Sequence, residues 1–184
     1  MQKLDLLPDN LPIPLGGGAC GHLVGKNLPS TQMSATNGNT LDVAKLKGWL
    51  VVFCYPMTGQ PNVALPDGWN NIPGARGCTP QACAFRDHYQ VLTKLAQVFG
   101  LSAQSTQYQQ EAATRLHLPF PLLSDINLEF TNALKLPTFM VEYVRLNKRL
   151  TLIAFDGVIK HCIYPVFPPD KNAEEVLNWL KQHV

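Results

Sequence analysis

Apolar side chains recur along the chain with two periodicities, and each periodicity predicts a different kind of secondary-structure element. Residues 49–55 form an unbroken apolar run rich in β-branched and aromatic side chains, which is typical of a central strand covered on both faces. Residues 149–155 and 158–164 flank Asp156-Gly157 and predict a β-hairpin. Shorter strands are expected at residues 98–102 and 121–123, and residues 139–143 fit either a strand or an extended loop.

Helical spacing predicts most of the remaining elements. After Pro80, apolar residues recur every three to four positions through Phe99, so the sequence predicts a helix that is capped by Thr79 and ends at Gly100. The last helix, about residues 173–183, takes Asp170 or Asn172 as its cap and buries one apolar stripe. Further helical segments are expected at residues 41–46, 106–116 and 128–134.

The order of these elements predicts an α/β fold of the thioredoxin-like type, a sandwich with a central mixed sheet and helices on both faces. At 184 residues the chain is expected to fold as one domain. The Pro- and Gly-rich residues 1–30 predict an extended N-terminal arm, and residues 31–184 form the domain. Residues 57–76 are dense in turn signals and predict a loop insertion, which either covers a pocket over Cys78 through Trp69 or Ile72 or packs on itself.

Cys78 stands just ahead of the predicted helix start and is the first candidate for chemistry. Its sulfur is expected beside unpaired backbone N–H groups and the positive end of the helix dipole, with Arg76 two residues before it. That setting stabilises a thiolate, the nucleophilic form of cysteine, so the position indicates redox or acyl-transfer chemistry. A buried, inert cysteine near a helix end is the alternative.

Cys83 follows five residues later on the same predicted helix. On a continuous helix the two Cα atoms are roughly 8 to 9 Å apart, whereas a disulfide needs about 7 Å or less. A bond between them therefore requires the first helical turn to unwind. This requirement suits a two-step redox cycle in which Cys78 reacts and Cys83 resolves it. Alternatively, Cys83 is a small packed residue of the helix face.

Further motifs, spaced along nearly the whole chain, accompany the two cysteines. They are Val51-Val52-Phe53-Cys54-Tyr55-Pro56, Gly77-Cys78-Thr79-Pro80-Gln81-Ala82-Cys83-Ala84-Phe85-Arg86-Asp87, Leu118-Pro119-Phe120-Pro121-Leu122-Leu123-Ser124-Asp125 and Lys148-Arg149-Leu150-Thr151-Leu152-Ile153. Together they resemble peroxiredoxins of the bacterioferritin-comigratory-protein (PrxQ-like) type, in the AhpC/TSA superfamily. The resemblance covers residues 28–184.

The resemblance implies a thiol-dependent peroxidase that reduces hydrogen peroxide and organic hydroperoxides without a cofactor or metal. It makes Cys78 the peroxidatic and Cys83 the resolving cysteine, giving an intramolecular disulfide that a thioredoxin-type or glutaredoxin-type donor reduces. Arg149 matches the family's strand-borne arginine, whose fixed fork of donors supports the thiolate and orients the peroxide. The implied assembly is a monomer or a weak homodimer.

One position departs from the family. The usual pattern, Pro-x-x-x-Thr/Ser-x-x-Cys, places a hydroxyl three residues before the cysteine, but Ala75 stands there and Asn71 stands where proline is usual. Two hydroxyls are candidates to replace it. Thr58 qualifies if the insertion loops out and returns, and Thr79 follows the cysteine directly.

Other functions stay open on the residues alone. A thioredoxin-like disulfide reductase would need Cys-x-x-Cys, which the chain lacks. A non-catalytic thioredoxin-fold binding module and a one-cysteine peroxidase with an external thiol are the alternatives. Cys162 is a possible resolving thiol and Cys54 a core residue. Cys20 and His22 are a weak metal signal, because they offer only two ligands.

Composition and charge argue against several classes of protein. The chain is 46% hydrophobic and carries a formal net charge of +2, without a basic run that would indicate nucleic acid or an acidic membrane as partner. No apolar stretch approaches the roughly 20 residues of a membrane span. Five cysteines at irregular spacing do not form a secreted disulfide framework, so a cytoplasmic location is expected.

Overall fold

The computed structural model describes residue 4 and residues 6–184. The strands are β1 (Met33–Ala35), β2 (Thr40–Leu41), β3 (Trp49–Cys54), β4 (Gln97–Ser102), β5 (Leu122–Ser124), β6 (Thr138–Val141), β7 (Val144–Asn147), β8 (Leu150–Phe155) and β9 (Val158–Ile163). The α-helices are α1 (Cys78–Asp87), α2 (Tyr89–Leu92), α3 (Thr106–Arg115), α4 (Glu129–Leu134) and α5 (Asn172–His183). Single 3₁₀ turns lie at Val43–Lys45, Trp69–Asn71 and Pro169–Lys171.

Seven of these strands form one mixed sheet in the order β2-β1-β5-β4-β3-β8-β9. β3 runs parallel to β4, and β4 runs parallel to β5. β8 pairs antiparallel with β3 and continues into β9 as the predicted hairpin. The strands β6 and β7 form a separate antiparallel hairpin, so of the ambiguous residues 139–143 the first three are strand and the last two form the turn.

The apolar run of β3 divides the core into two layers. Leu50 and Val52 belong to a cluster that α4 covers, whereas Val51 and Phe53 belong to a cluster that α1 and α5 cover. Successive strand residues point to opposite faces, so a run that is apolar throughout is buried on both sides. The predicted thioredoxin-like sandwich, with helices on both faces of a mixed sheet, is confirmed.

The helix that begins at Cys78 is shorter than predicted. α1 ends at Asp87 and the single turn α2 ends at Leu92, so the prediction of one helix ending at Gly100 is wrong. Gly100 lies inside β4, where a Cβ would come 2.8 Å from the Phe53 ring. It makes room for an aromatic side chain against the sheet, which is a different use of glycine from a helix stop.

The cap of α1 also differs from the prediction. Gly77, with φ of 103°, is the N-cap, so Cys78 is the first helical residue and Thr79 makes no capping bond through its side chain. A Cβ at Gly77 would lie 2.4 Å from Pro169 Cγ. The positive φ and this close approach both require glycine, which positions Cys78 at the very start of the helix.

α5 begins without a side-chain cap. Its N-cap residue is Lys171, so the predicted capping by Asp170 or Asn172 is wrong. Asn172 is instead fully buried as the first residue of the helix. Its amide has become part of an interior hydrogen-bond network described below.

A cap that the sequence pattern did not indicate stands at Asp42. Its carboxylate accepts bonds from the Ala44 N–H at 3.1 Å and the Ser30 hydroxyl at 2.5 Å, with Lys45 Nζ at 3.2 Å. Burial alone would raise the pKa of Asp42. The hydrogen bonds and the nearby ammonium outweigh burial and hold that pKa below its ordinary value.

Part of the N-terminal segment packs into the domain and does not lie as an arm on its surface. Residues 1–3 and 5 of the predicted arm lie outside the described residues. Farther on, Leu23 and Leu28 are buried in the cluster that α4 covers, and Asn27 forms a β-bridge with Val158. No helix within residues 6–184 is both long and apolar enough to span a membrane.

Candidate active site

Cys78 lies at the N-terminus of a ten-residue helix that packs against the sheet. Only 5% of the residue is exposed, and its Sγ lies 3.6 Å from the carbonyl oxygen of Ala75. The first turn of a helix leaves backbone N–H groups without intrahelical partners and carries the positive end of the dipole. The sulfur is therefore buried at the helix N-terminus, beside the positive end of the dipole.

Arg149 supplies the positive charge of the site. Its Nη2 lies 3.3 Å from Cys78 Sγ, and the residue is only 3% exposed. The same nitrogen faces three backbone carbonyl oxygens, those of Gly74 and Ala75 at 3.3 Å and that of Arg76 at 3.1 Å. These carbonyls orient the guanidinium without neutralising it. Its charge thus remains available to the thiolate and to negative charge that develops beside the sulfur.

A buried network holds the guanidinium in place from the other side. Arg149 Nη1 donates to Gln81 Oε1, and Gln81 Nε2 donates to Asn172 Oδ1 at 2.9 Å. Asn172 Oδ1 also accepts from Thr151 Oγ1 at 2.7 Å. The network connects β8, α1 and α5, so the orientation of Arg149 depends on all three elements.

Sequence reasoning identified Arg149 but missed its supports Gln81, Asn172 and Thr151. A signal for Gln81 was present, because residues three apart on a helix share a face and Gln81 stands three residues after Cys78. Asn172 had no comparable signal. Its contact with Gln81 joins residues 91 positions apart, and only the packing of α5 on α1 brings them together.

Cys83 lies on the same helix as Cys78, and both are free thiols. α1 is continuous from Cys78 to Asp87, so the two Cα atoms have the roughly 8 to 9 Å separation of a regular helix. A disulfide between them requires at least the first turn of α1 to open. Cys83 is half-buried and lies near Arg86, whose Nη1 donates to Leu116 O at 2.9 Å.

The two hydroxyls proposed to replace the missing one are both buried. Thr58 Oγ1 donates to Gln104 Oε1 at 3.1 Å, and Gln104 Nε2 donates back to Thr58 O at 3.2 Å. Thr79 lies in the first turn of α1. Among the hydrogen bonds of the described residues, neither hydroxyl contacts Cys78 Sγ. Their roles stay predictions, and Ala75 contributes to the site through its carbonyl oxygen instead.

The insertion, residues 57–76, packs on the β6–β7 hairpin. Trp69 is buried in a small apolar cluster with Ala75 and Leu146, and its ring lies 6.1 Å from that of Phe139. Ile72 packs at the margin of the same cluster. Because Ala75 is fully buried against this cluster, a small side chain fits the position that carries a hydroxyl in the family.

A small, largely enclosed cleft lies beside Arg149. It is lined by Pro14, Pro73, Gly74, Phe139, Lys148, Tyr164 and Pro165. Most of its lining is apolar, and Arg149 and Lys148 are its charged residues. The cleft has a volume of about 10 Å³, room for about one water molecule, and Cys78 is not among its lining residues.

The remaining cysteines lie on the opposite face of β3. Cys54 is fully buried, in agreement with its predicted core position, and burial raises the pKa of its thiol. Cys20 and Cys162 adjoin the same apolar cluster. His22 Nε2 lies 2.9 Å from Leu134 O, and no group of three or more potential metal ligands occurs within residues 6–184.

Comparison with known proteins gives consistent matches over this fold. The family model described as Redoxin matches residues 23–177. Peroxiredoxin Q, chloroplastic, from Populus jackii is 31% identical over 159 residues, which are 85% of this chain and 67% of that protein. The protein of the same name from Sedum lineare is 30% identical over 159 residues, 85% of this chain and 77% of that one.

Solved structures show the same fold. Peroxidoxin BcpB from Mycobacterium tuberculosis superimposes with a TM-score of 0.72 at 22% identity, covering 89% of this chain and 99% of that chain. A cysteine-to-serine mutant of Xylella fastidiosa PrxQ also gives a TM-score of 0.72 at 22% identity, covering 88% of this chain and 98% of that chain.

Proposed function

The chain belongs to the Redoxin family and is a thiol-dependent peroxidase of the peroxiredoxin Q type, and we propose that Cys78 is its peroxidatic cysteine. The observation that carries the proposal is the 3.3 Å contact between Cys78 Sγ and the buried Arg149 guanidinium at the start of α1. Cys54 and Cys83 lack this combination of helix start and buried cation.

In the first step the Cys78 thiolate attacks the terminal oxygen of a hydroperoxide. The O–O bond breaks, the sulfur becomes a sulfenic acid, and the other oxygen leaves as an alcohol or water after it takes up a proton. Arg149 stabilises the negative charge that develops on the leaving oxygen, and Gln81 and Asn172 keep the guanidinium aimed at it.

In the second step Cys83 attacks the sulfenic sulfur, water leaves, and a Cys78–Cys83 disulfide remains. The first turn of α1 must open for this bond to form, since both residues belong to one continuous helix. Opening breaks the bonds that Gln81 makes to Arg149 and Asn172. Formation of the disulfide therefore removes the contact between Arg149 and α1. The form that binds peroxide and the disulfide form then differ in how the guanidinium is held.

A dithiol donor of the thioredoxin or glutaredoxin type completes the cycle by exchange with this disulfide. We propose hydrogen peroxide and organic hydroperoxides as substrates.

We propose that the protein is a monomer or a weak homodimer. The β6–β7 hairpin carries exposed apolar side chains at Met140, Tyr143 and Val144, and a patch of this small size fits a weak contact. Sedimentation velocity across a range of protein concentrations tests this assembly, and a tight dimer at low concentration contradicts it.

Replacement of Cys83 by serine tests the assignment of the resolving cysteine. We expect the Cys83→Ser variant to consume one equivalent of peroxide at the wild-type rate and to lose recycling by thioredoxin. Cys162→Ser is the matched control and is expected to recycle normally. Normal recycling by Cys83→Ser together with its loss in Cys162→Ser would transfer the resolving role to Cys162.

A further inference from the structure

A second pair of thiols lies on the face of the sheet opposite Cys78. Cys20 is part of the cluster that α4 covers and Cys162 packs against that cluster, whereas Cys78 belongs to the cluster under α1 and α5. The Cys162 thiol donates a hydrogen bond to the Cys20 sulfur, and both residues are free thiols. Cys20 is 7% exposed and Cys162 is half-buried, so the pair lies just beneath the surface.

The two segments that carry these thiols are already fastened together. Gly25 N–H donates to Ile159 O at 2.8 Å, and Ile159 N–H donates to Lys26 O at 2.8 Å. Asn27 continues this antiparallel pairing as a bridge to Val158. These backbone bonds hold the two segments side by side, and the interaction between the thiols shows that their side chains face each other.

The hydrogen bond divides the pair into a nucleophile and a proton donor. The bond from Cys162 lowers the pKa of Cys20 against the effect of burial. The same bond, reinforced by burial, raises the pKa of Cys162. Of the two, Cys20 is therefore the thiol that ionises more readily, and the thiolate is the form that reacts with peroxides.

We propose that Cys20 and Cys162 are a second redox-active dithiol, which a hydroperoxide converts into a disulfide. The Cys20 thiolate attacks one peroxide oxygen and becomes a sulfenic acid, and the other oxygen leaves as alcohol or water. Cys162 then gives up its proton and attacks the sulfenic sulfur, and water leaves. One hydroperoxide is consumed per disulfide, and a dithiol donor returns the two electrons. The proposal rests on the proposed function for its oxidant, since the substrate peroxide serves both pairs.

The disulfide joins the two walls of the Arg149 cleft. Pro14 stands on one wall, six residues before Cys20, and Tyr164 and Pro165 stand on the other, directly after β9. A Cβ at Gly16 would lie 2.8 Å from Pro165 Cδ, so the two walls already touch. Oxidation of Cys20 and Cys162 fixes this contact covalently and thereby holds the cleft in one shape.

Peptide mapping of the full chain after treatment with excess hydrogen peroxide tests the proposal. Wild type and Cys78→Ser are oxidised, free thiols are blocked, and the proteins are digested without reduction. A peptide pair linked through Cys20 and Cys162 is expected in both proteins and is lost after treatment with a dithiol. Because this bond closes a loop of more than a hundred residues, the oxidised protein is expected to melt about 5–15 °C higher than the reduced one. The Cys162→Ser variant should show no such rise.

Three results would count against the proposal, and they are distinguishable. If the Cys78–Cys83 link forms while Cys20 and Cys162 stay thiols, the second dithiol is excluded and the peroxidase cycle stands. If the Cys20–Cys162 link forms only when Cys78 is present, direct attack by Cys20 is excluded. If neither pair reacts with peroxide, the proposed function fails together with this inference.

Discussion

Replacing Arg149 by methionine removes the positive charge that the structure places 3.3 Å from Cys78 Sγ. At 3.3 Å, with an effective dielectric constant of about 20, a unit charge interacts with the thiolate or the leaving oxygen by about 5 kcal/mol before competing contributions. Removal of one buried donor to a developing oxyanion typically costs about 3–4 kcal/mol. The rate constant for oxidation of the peroxidatic thiol should therefore fall by about 10²–10³-fold.

A stability effect must be separated from this chemical one. The substitution leaves the carbonyl oxygens of Gly74, Ala75 and Arg76 without the donor that Arg149 Nη2 provides, and a buried group left unpaired costs about 1–3 kcal/mol. Arg149→Lys keeps the charge but loses the planar fork, so it should retain more of the rate than Arg149→Met. Arg145→Met removes an exposed arginine on β7 and is the matched control, with no change expected.

Rapid-quench oxidation by hydrogen peroxide, with mass detection of the free thiol, gives the second-order rate constant for each variant. Thermal unfolding followed by circular dichroism confirms that each variant is folded at the assay temperature. A folded Arg149→Met protein that reacts within threefold of wild type would refute the role assigned to the guanidinium.

Three further substitutions test the scaffold around the site. Ala75→Thr should lower the free energy of unfolding by about 1–3 kcal/mol in chemical denaturation, because the buried cluster around Trp69 has no room for extra atoms; an unchanged stability contradicts this. Phe85→Ala removes a ring stacked 4.2 Å from Phe53 and should cost about 3–5 kcal/mol, and a loss below 1 kcal/mol argues against tight packing behind α1. Asp42→Asn removes the charge that strengthens the bonds to Ser30 and Lys45, so it should be less stable than wild type by about 1 kcal/mol at pH 7. Since the folded pKa of Asp42 is depressed, its contribution to stability is present above the unfolded pKa and is lost as pH falls through the folded value. The free energies of unfolding of the two proteins should therefore converge in acid. A difference that stays constant with pH refutes the linkage.

The strands of the sheet centre were predictable because their signals are local. The apolar run of β3 and the Asp156-Gly157 turn between β8 and β9 each lie within a few residues. The strands β1 and β2, only three and two residues long, carry too few positions for a periodic signal. The error at Gly100 has a different origin: helical spacing continued by chance into β4, and the packing of Phe53 decided the element.

The site divides in the same way between local and tertiary information. Cys78 and Cys83 were found from a cysteine near a helix start and a five-residue spacing, and Arg149 from a resembling motif. The anchoring of Arg149 through Asn172 and Thr151 depends on α5 packing against α1 and β8, which no spacing along the sequence reveals. Tertiary packing therefore determines how the guanidinium is held, whereas the reactive sulfur follows from the sequence.

Intact-mass analysis after one equivalent of hydrogen peroxide tests the pairing of Cys78 with Cys83. With free thiols blocked and peptides mapped, a loss of two hydrogens assigned to Cys78 and Cys83 is the predicted result. Sulfenic or sulfinic acid at Cys78 without a disulfide would contradict the pairing and make the protein a one-cysteine peroxidase. An unreacted Cys78 would contradict the assignment of the peroxidatic residue itself.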